Sequence, residues 1–278
     1  MIRLAIVGFG QMGASIAASL RPKGYRIVAI DRDAETRRKA RERGLADEAS
    51  EELSHCRAAD IVLLALPVRT SVEILPPLLD EMRPDALLLD LATTKGPLVE
   101  SFLRSVRPIR YVSLHPLAGT ERSGIDAADP ALFHGTACLV IPIRGPEEAI
   151  DSAEGIVRSL GACPIRIRSV DEHDRAMAVM IHLPHVLAYV LPMLARESGT
   201  ELDLAGRSFR DMTRVALSDG SMVLDFLLTN RVKAGEALDR FLELLVRFRE
   251  LLMAEDEKGL RRWMEEAKEI RGQVEGKP

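Results

Sequence analysis

Three stretches combine residue types and spacings that could do chemistry. Gly8-Phe9-Gly10-Gln11-Met12-Gly13 is a G-x-G-x-x-G run between an apolar segment at residues 3–8 and a helical pattern near 12–23. His115 and Pro116 close a second apolar segment at 111–114. His182 and His185 stand three apart inside an otherwise apolar stretch, 176–188. The first pattern suits phosphate binding, the second proton removal, and the third a pair of polar groups that must find partners in an apolar setting.

In the glycine run, Gly8 permits a tight turn, Gly10 lets a pyrophosphate approach the backbone, and Gly13 lets the helix pack against the strand. Phosphates would then sit at the positive end of the helix dipole. The next strand-like segment ends in Asp31, where a carboxylate accepts hydrogen bonds from the adenosine-ribose hydroxyls and repels a 2′-phosphate. NAD is therefore expected over NADP. Arg32 can cover a 2′-phosphate or stack on adenine. Leu66-Pro67-Val68 and Thr93-Thr94-Lys95-Gly96 follow two further strand patterns, so Leu66, Pro67 and Thr93 join residues 8–13, Asp31 and Arg32 as expected cofactor contacts. Thr93 and Thr94 also suit a helix N-cap.

A histidine at a strand's carboxyl end, beside the nicotinamide side of such a sheet, can take a proton from a substrate hydroxyl. Its reference pKa near 6.5 leaves it neutral at neutral pH. Oxidation of an alcohol by hydride transfer needs that base. A loop-fixing histidine is the plainer alternative.

The elements that would position these groups are visible as patterns. Short apolar segments at 3–8, 26–31, 61–66, 86–91, 111–114, 137–142 and 163–167 alternate with helical patterns near 12–23, 34–43, 70–82 and 96–105. They predict an α/β Rossmann-type domain, doubly wound and mostly parallel, over 1–167. Beyond 168 the patterns are helical only. An all-α domain over 168–278 is expected to serve dimerisation and substrate binding. The stretch around 176–188 is apolar on all sides, so a second copy of the chain is expected to cover it, with Pro184 kinking the helix or freeing a carbonyl.

Composition narrows the class. The 278 residues are 47% hydrophobic, and 38 basic against 42 acidic side chains give a net charge of −4, which argues against nucleic-acid binding. No apolar run suggests a membrane span of roughly 18–20 residues. The chain enters a strand pattern at once, and Cys56, Cys138 and Cys163 are scattered, so a reduced, cytoplasmic protein is expected. No carboxylate completes a metal set with His182 and His185, and no metal is expected.

His115-Pro116-Leu117-Ala118-Gly119-Thr120-Glu121 closely resembles the His-Pro-hydrophobic-Ala-Gly-Ser/Thr-Glu motif of prephenate and arogenate dehydrogenases, the oxidative decarboxylases of tyrosine biosynthesis. Three more segments are similar to the same family. They are Asp90-Leu91-Ala92-Thr93-Thr94-Lys95-Gly96, Glu172-His173-Asp174 with His182-Leu183-Pro184-His185, and Phe209-Arg210-Asp211-Met212-Thr213-Arg214 with Ser218-Asp219. The resemblance runs from the glycine loop to about Arg231.

The resemblance implies that His115 is the base on the ring C4 hydroxyl, that Thr93 orients it, and that Arg214 binds a substrate carboxylate. Glu121 and His185 would belong to the polar network over the site, with Thr120, His182 and Arg210 as further substrate contacts. NAD-dependent conversion of prephenate to 4-hydroxyphenylpyruvate is the implied reaction, with arogenate as the alternative substrate. Ala92 and Thr93 stand where the family loop has glycine and serine, and Val223 where relatives often carry tryptophan. β-Hydroxyacid dehydrogenases combine similar domains but place a catalytic lysine on the central helix. No lysine lies between Lys95 and Lys233. A nucleotide-sensing relative without turnover would need no joint set of His115, Arg214 and Glu121.

Overall fold

The computed structural model describes residues 1–118 and 122–274. Its first half is one eight-stranded sheet: β1 (Arg3–Val7), β2 (Arg26–Ile30), β3 (Glu48–Ser50), β4 (Ile61–Leu64), β5 (Leu87–Asp90), β6 (Arg110–Pro116), β7 (Ala137–Arg144) and β8 (Cys163–Arg166). The order is β3-β2-β1-β4-β5-β6-β7-β8, and every neighbouring pair is parallel except β6–β7. The expected strands all form. The short β3 is an addition, so His115 lies on the sixth strand in chain order.

Successive residues of β1 feed opposite layers, which is why the strand is apolar without alternation. Leu4 and Ile6 pack with α1 (Gln11–Leu20) and α5 (Glu147–Ser159), whereas Ala5 and Val7 pack with α3 (Val68–Glu81) and α4 (Gly96–Leu103). A further helix, α2 (Ala34–Glu42), covers the β2 side through Ala40. The α5 helix goes beyond the expected ones, although Ile150, Ala153 and Val157 recur at helical spacing. Strand order reverses at β1, and a doubly wound sheet binds its ligand in the crevice outside the carboxyl ends at that point.

The second half contains no strand among the described residues. A continuous helix runs through α6 (Val170–Met177), a π-helical turn (Ala178–His182) and α7 (Leu183–Glu197). It is followed by α8 (Arg207–Thr213), α9 (Gly220–Thr229), α10 (Arg231–Met253) and α11 (Glu257–Gly272). Pro184 lacks an N–H, and just before it the ladder takes a wider register in which the Leu183 N–H bonds Ala178 O.

The helix Val170–Glu197 contains an 18-residue window of mean hydropathy 1.7 and is long and apolar enough to cross a membrane by length and composition. This corrects the expectation that no run reaches that length. Only 22% of its most apolar window is buried within one chain, so a single copy does not supply the all-round cover expected for it. Met180, Val190 and Leu194 are at least half exposed. The first turns of the same helix carry buried His173 and Asp174, and the Asp174 carboxylate accepts from the start of α4, a charge-bearing contact that hydrocarbon could not replace.

Candidate active site

At the switch point the glycine loop has the shape a pyrophosphate needs. Gly8 has φ +94°, and a Cβ there would lie 2.6 Å from Ala65 O. A Cβ on Gly13 would lie 2.2 Å from Gly8 O, so only glycine lets α1 start this close to β1. Above Gly10 there is open space. No side chain caps α1, which leaves its first-turn N–H groups for an anion.

Asp31 sits at the end of β2, as expected, and does a second task. Its Oδ2 accepts the Phe9 N–H at 2.8 Å and its Oδ1 the Asp33 N–H at 2.9 Å, tying the glycine loop to the adenosine side of the crevice. Each oxygen keeps a lone pair for a ribose hydroxyl. Phe9 is corrected as a cofactor contact: its ring is fully buried in the core and its N–H is taken by Asp31. Met12 packs against the core, and Gln11 reaches Ala127 O at 3.3 Å. Arg32 is exposed, while Arg37 closes this corner by donating to the carbonyls of Asp31 and Arg32, both at 2.8 Å. Pro67 precedes α3, whose first N–H groups are capped from the helical half: Asp225 of α9 accepts from Val68 N at 2.6 Å and from Arg69 Nε at 3.0 Å. The glycine cradle and Asp31 fit a dinucleotide.

Beyond the last β5–β6 pair, Asp90↔Ser113, the β6 strand continues and pairs His115 with Leu139 of β7. His115 is thus held by the sheet at its carboxyl edge, 7% exposed. Its Nδ1 lies 2.8 Å from His173 Nε2, and His173 Nδ1 lies 2.7 Å from Asp174 Oδ1. The carboxylate accepts, so His173 carries its proton on Nδ1 and presents a bare Nε2. His115 must then donate from Nδ1, which leaves its own Nε2 bare, the form a general base requires. Among the described residues that nitrogen has no hydrogen-bond partner.

Electrostatics favours the same state. Burial, then the nearby Lys95 ammonium and the neighbouring imidazoles, hold the His115 pKa well below the usual histidine range. Burial also lowers that of His173, against the opposing pull of Asp174. For Asp174, burial pushes upward, but hydrogen bonds from His173 and from the Lys95 and Gly96 N–H groups outweigh it and keep the carboxyl ionised. The same two bonds make Asp174 the cap of α4, in place of the Thr93 or Thr94 side chain. Thr94 instead pairs with Thr229 of α9 at 2.7 Å.

Lys95 is wholly buried and donates to Asp90 Oδ1 at 3.0 Å and to Leu114 O at 2.7 Å. Tyr111 OH and the Ala92 N–H complete the bonds to Asp90. The ammonium thereby joins the ends of β5 and β6 one residue before His115. A buried ion pair is retained only when its lone pairs and protons are satisfied in this way.

The expected histidine pair belongs to the same neighbourhood. His182, 1% exposed, stacks on Phe226 of α9 at 4.6 Å between ring centres, and His185 meets that ring edge-on. His185 Nδ1 donates to Ile181 O at 2.8 Å. Burial lowers the His182 pKa to about 4.

Thr93 makes no hydrogen bond to His115 here: His173 occupies Nδ1, and the Thr93 hydroxyl has no hydrogen-bond partner among the described residues. Arg210 is exposed on α8 with its Nε on Ala205 O at 3.1 Å, outside the histidine cluster. Arg214 is exposed at the start of the 3-10 turn Arg214–Leu217. Thr120 and Glu121 lie outside the described residues. Ala92 and Val223 are both buried.

His173, Asp174, Lys95, Asp90, Asn230 and Asp225 were given no role by sequence reasoning. The available signals were an Asp-His neighbour pair opening an apolar helix, and a lysine in a loop between apolar elements. Neither names its partner, because His115 and His173 are 58 residues apart in the chain.

Two family models match the chain: prephenate dehydrogenase, nucleotide-binding domain, over residues 16–165, and prephenate dehydrogenase, dimerization domain, over 169–266. A prephenate dehydrogenase from Lactococcus lactis subsp. cremoris is 30% identical over 99% of this chain and 78% of its own length. Among solved structures, the prephenate dehydrogenase from A. aeolicus in complex with hydroxyphenyl propionate and NAD+ superposes with a TM-score of 0.90 at 30% identity, covering 99% of each chain. The Synechocystis arogenate dehydrogenase gives 0.84 at 25% identity, covering 98% of this chain and 99% of its own. With the sheet order, the glycine cradle and the histidine at the edge of β6 all in place, the chain belongs to the prephenate dehydrogenase family.

Proposed function

We propose that the protein catalyses the NAD-dependent oxidative decarboxylation of prephenate to 4-hydroxyphenylpyruvate. The observation that carries this reading is the chain Asp174–His173–His115, which leaves a neutral imidazole with a bare Nε2 at the carboxyl edge of a dinucleotide-binding sheet. His115 takes the proton of the ring C4 hydroxyl, and the C4 carbon becomes a ketone-like centre as its hydride departs. Bound NAD+ supplies the hydride acceptor. The C1 carboxylate leaves as CO₂, its bonding electrons complete the aromatic ring, and the C4 oxygen, left as a phenolate, takes the proton back from His115. The protein contributes a placed base and the binding of a dianion.

In this reading Arg214 binds a substrate carboxylate, and Glu121, His185, Thr120, Arg210 and Thr93 are the further residues that serve the substrate. Gly8, Gly10, Gln11, Met12, Gly13, Asp31, Arg32, Leu66 and Pro67 hold the dinucleotide. Residues 1–167 form the cofactor domain and 168–278 the substrate and dimer domain. Two copies pair through the exposed apolar faces of α7, α9 and α10, and the enzyme works in the cytoplasm. Arogenate is a second reading, favoured by the fold shared with the Synechocystis enzyme. The two substrates differ only in a side-chain keto or amino group, which the same base serves.

The test crosses prephenate or arogenate with NAD+ or NADP+ and follows nicotinamide reduction. Turnover of prephenate with NAD+ that is lost in His115→Asn supports the reading. No turnover in any combination overturns it, and a preference for NADP+ overturns the role given to Asp31.

A further inference from the structure

Asn230 is the only asparagine in the chain, and it lies buried at the junction of α9 and α10. Its Nδ2 donates to the backbone carbonyl of Asp174 at 2.8 Å, which fixes which end of the amide is the nitrogen. The same nitrogen lies 3.3 Å from His182 Nδ1. An amide nitrogen can only donate, so His182 Nδ1 accepts, and the ring proton sits on Nε2. That Nε2 is buried and has no hydrogen-bond partner among the described residues. Phe226, stacked on the ring with only 13° between the planes, fixes the direction in which the N–H is held.

A buried donor without an acceptor costs free energy unless a ligand completes it. One residue, Asp174, thus sets two imidazoles in opposite senses. Its carboxylate, through His173, leaves His115 with a bare nitrogen. Its backbone carbonyl, through Asn230, leaves His182 with a protonated one.

Building on the functional reading above, we propose that His182 Nε2–H binds a carboxylate oxygen of the ring acid, and that Asn230 is the positioning residue that keeps the proton on that nitrogen. The assignment gives the site a proton acceptor and a hydrogen-bond donor from one network, matching a substrate that offers a hydroxyl proton at one end and anionic oxygens elsewhere.

Two measurements test it on the full-length protein. Nitrogen-15 spectra of histidine-labelled protein, with the His182 signals identified by their loss in His182→Gln, should show a bare Nδ1 and a protonated Nε2. In Asn230→Asp the partner accepts instead of donating, and Nδ1 should gain a proton. A protonated Nδ1 in the unsubstituted protein, or an Nδ1 left bare by Asn230→Asp, overturns the proposal. These spectra need no substrate, so they stand apart from any failure of the functional reading.

In steady-state kinetics with prephenate, His182→Leu should raise KM about 10- to 100-fold with kcat within about threefold, the scale of one hydrogen bond to a charged group. His182→Gln keeps a donor and should recover most of the KM lost in His182→Leu. Equal losses in the two variants, or an unchanged KM in His182→Leu as expected if only an interior water is bound, would overturn it.

Discussion

His173 Nε2 lies 2.8 Å from His115 Nδ1, and its other ring nitrogen lies 2.7 Å from Asp174. One carboxylate on α6 therefore decides the tautomer of an imidazole on β6, across the boundary between the sheet and the helical half. Because the same carboxylate caps α4, His115 is referenced to both the strand and the neighbouring loop.

Asp174→Asn should uncouple that relay. An amide can donate to His173 Nδ1, turn the proton to Nε2, and leave His115 with its proton on the wrong nitrogen. We expect kcat to fall by about 10²–10⁴-fold, the range for loss of a general base, with the helical circular dichroism retained. Single-turnover kinetics within threefold of the parent protein would show that the relay does not set the base.

The pH dependence follows from the direction of the shifts. His115 must be neutral to accept a proton, and its pKa is held well below 6.5, so kcat/KM should stay flat down through pH 6.5 and fall only in more acid solution. An acid limb centred at or above 6.5 would contradict the buried, Lys95-flanked placement.

Stability should weaken with acid through His182. The unfolded imidazole takes a proton near pH 6.5, whereas the folded one resists protonation down to about 4. Between those values the unfolded state binds more protons, so stability falls as pH falls, by up to about 3 kcal/mol at the lower end. Urea midpoints at neutral and acid pH would show the loss, and His182→Gln should remove that part of it.

Asp225→Ala removes the cap that α9 places on α3. The carboxylate is nearly buried and accepts from Val68 N, Arg69 N and Arg69 Nε. We expect about 1–3 kcal/mol of lost stability by denaturant titration and a higher KM for NAD+, because the loop at Leu66 and Pro67 leads into that helix. An unchanged cofactor KM would confine Asp225 to a structural role.

Leu194→Asp places a charge on the exposed apolar face of α7, where Val190 and Met193 also lie. If that face is the dimer contact, sedimentation should show a monomer, since a charge buried at an interface without a partner is strongly unfavourable. A dimer of undiminished affinity would place the contact elsewhere.

What the sequence determined by itself was everything encoded by local pattern. The continuous apolar runs specified a sheet covered on both faces, the spacing of Gly8, Gly10 and Gly13 specified the phosphate turn, and Asp31 and His115 were legible because strand ends in such a sheet meet the crevice. Only the tertiary structure decided who holds His115. Thr93 is nearer in the chain, but His173 takes the hydrogen bond, because α6 docks across the ends of β5 and β6 and brings Asp174 to the start of α4. The same packing made Asn230 a donor to His182 and Asp225 the cap of α3. Hydrogen-bond partnership depends on distances of a few ångströms between elements far apart in sequence, and residue type and spacing along the chain carry no record of them.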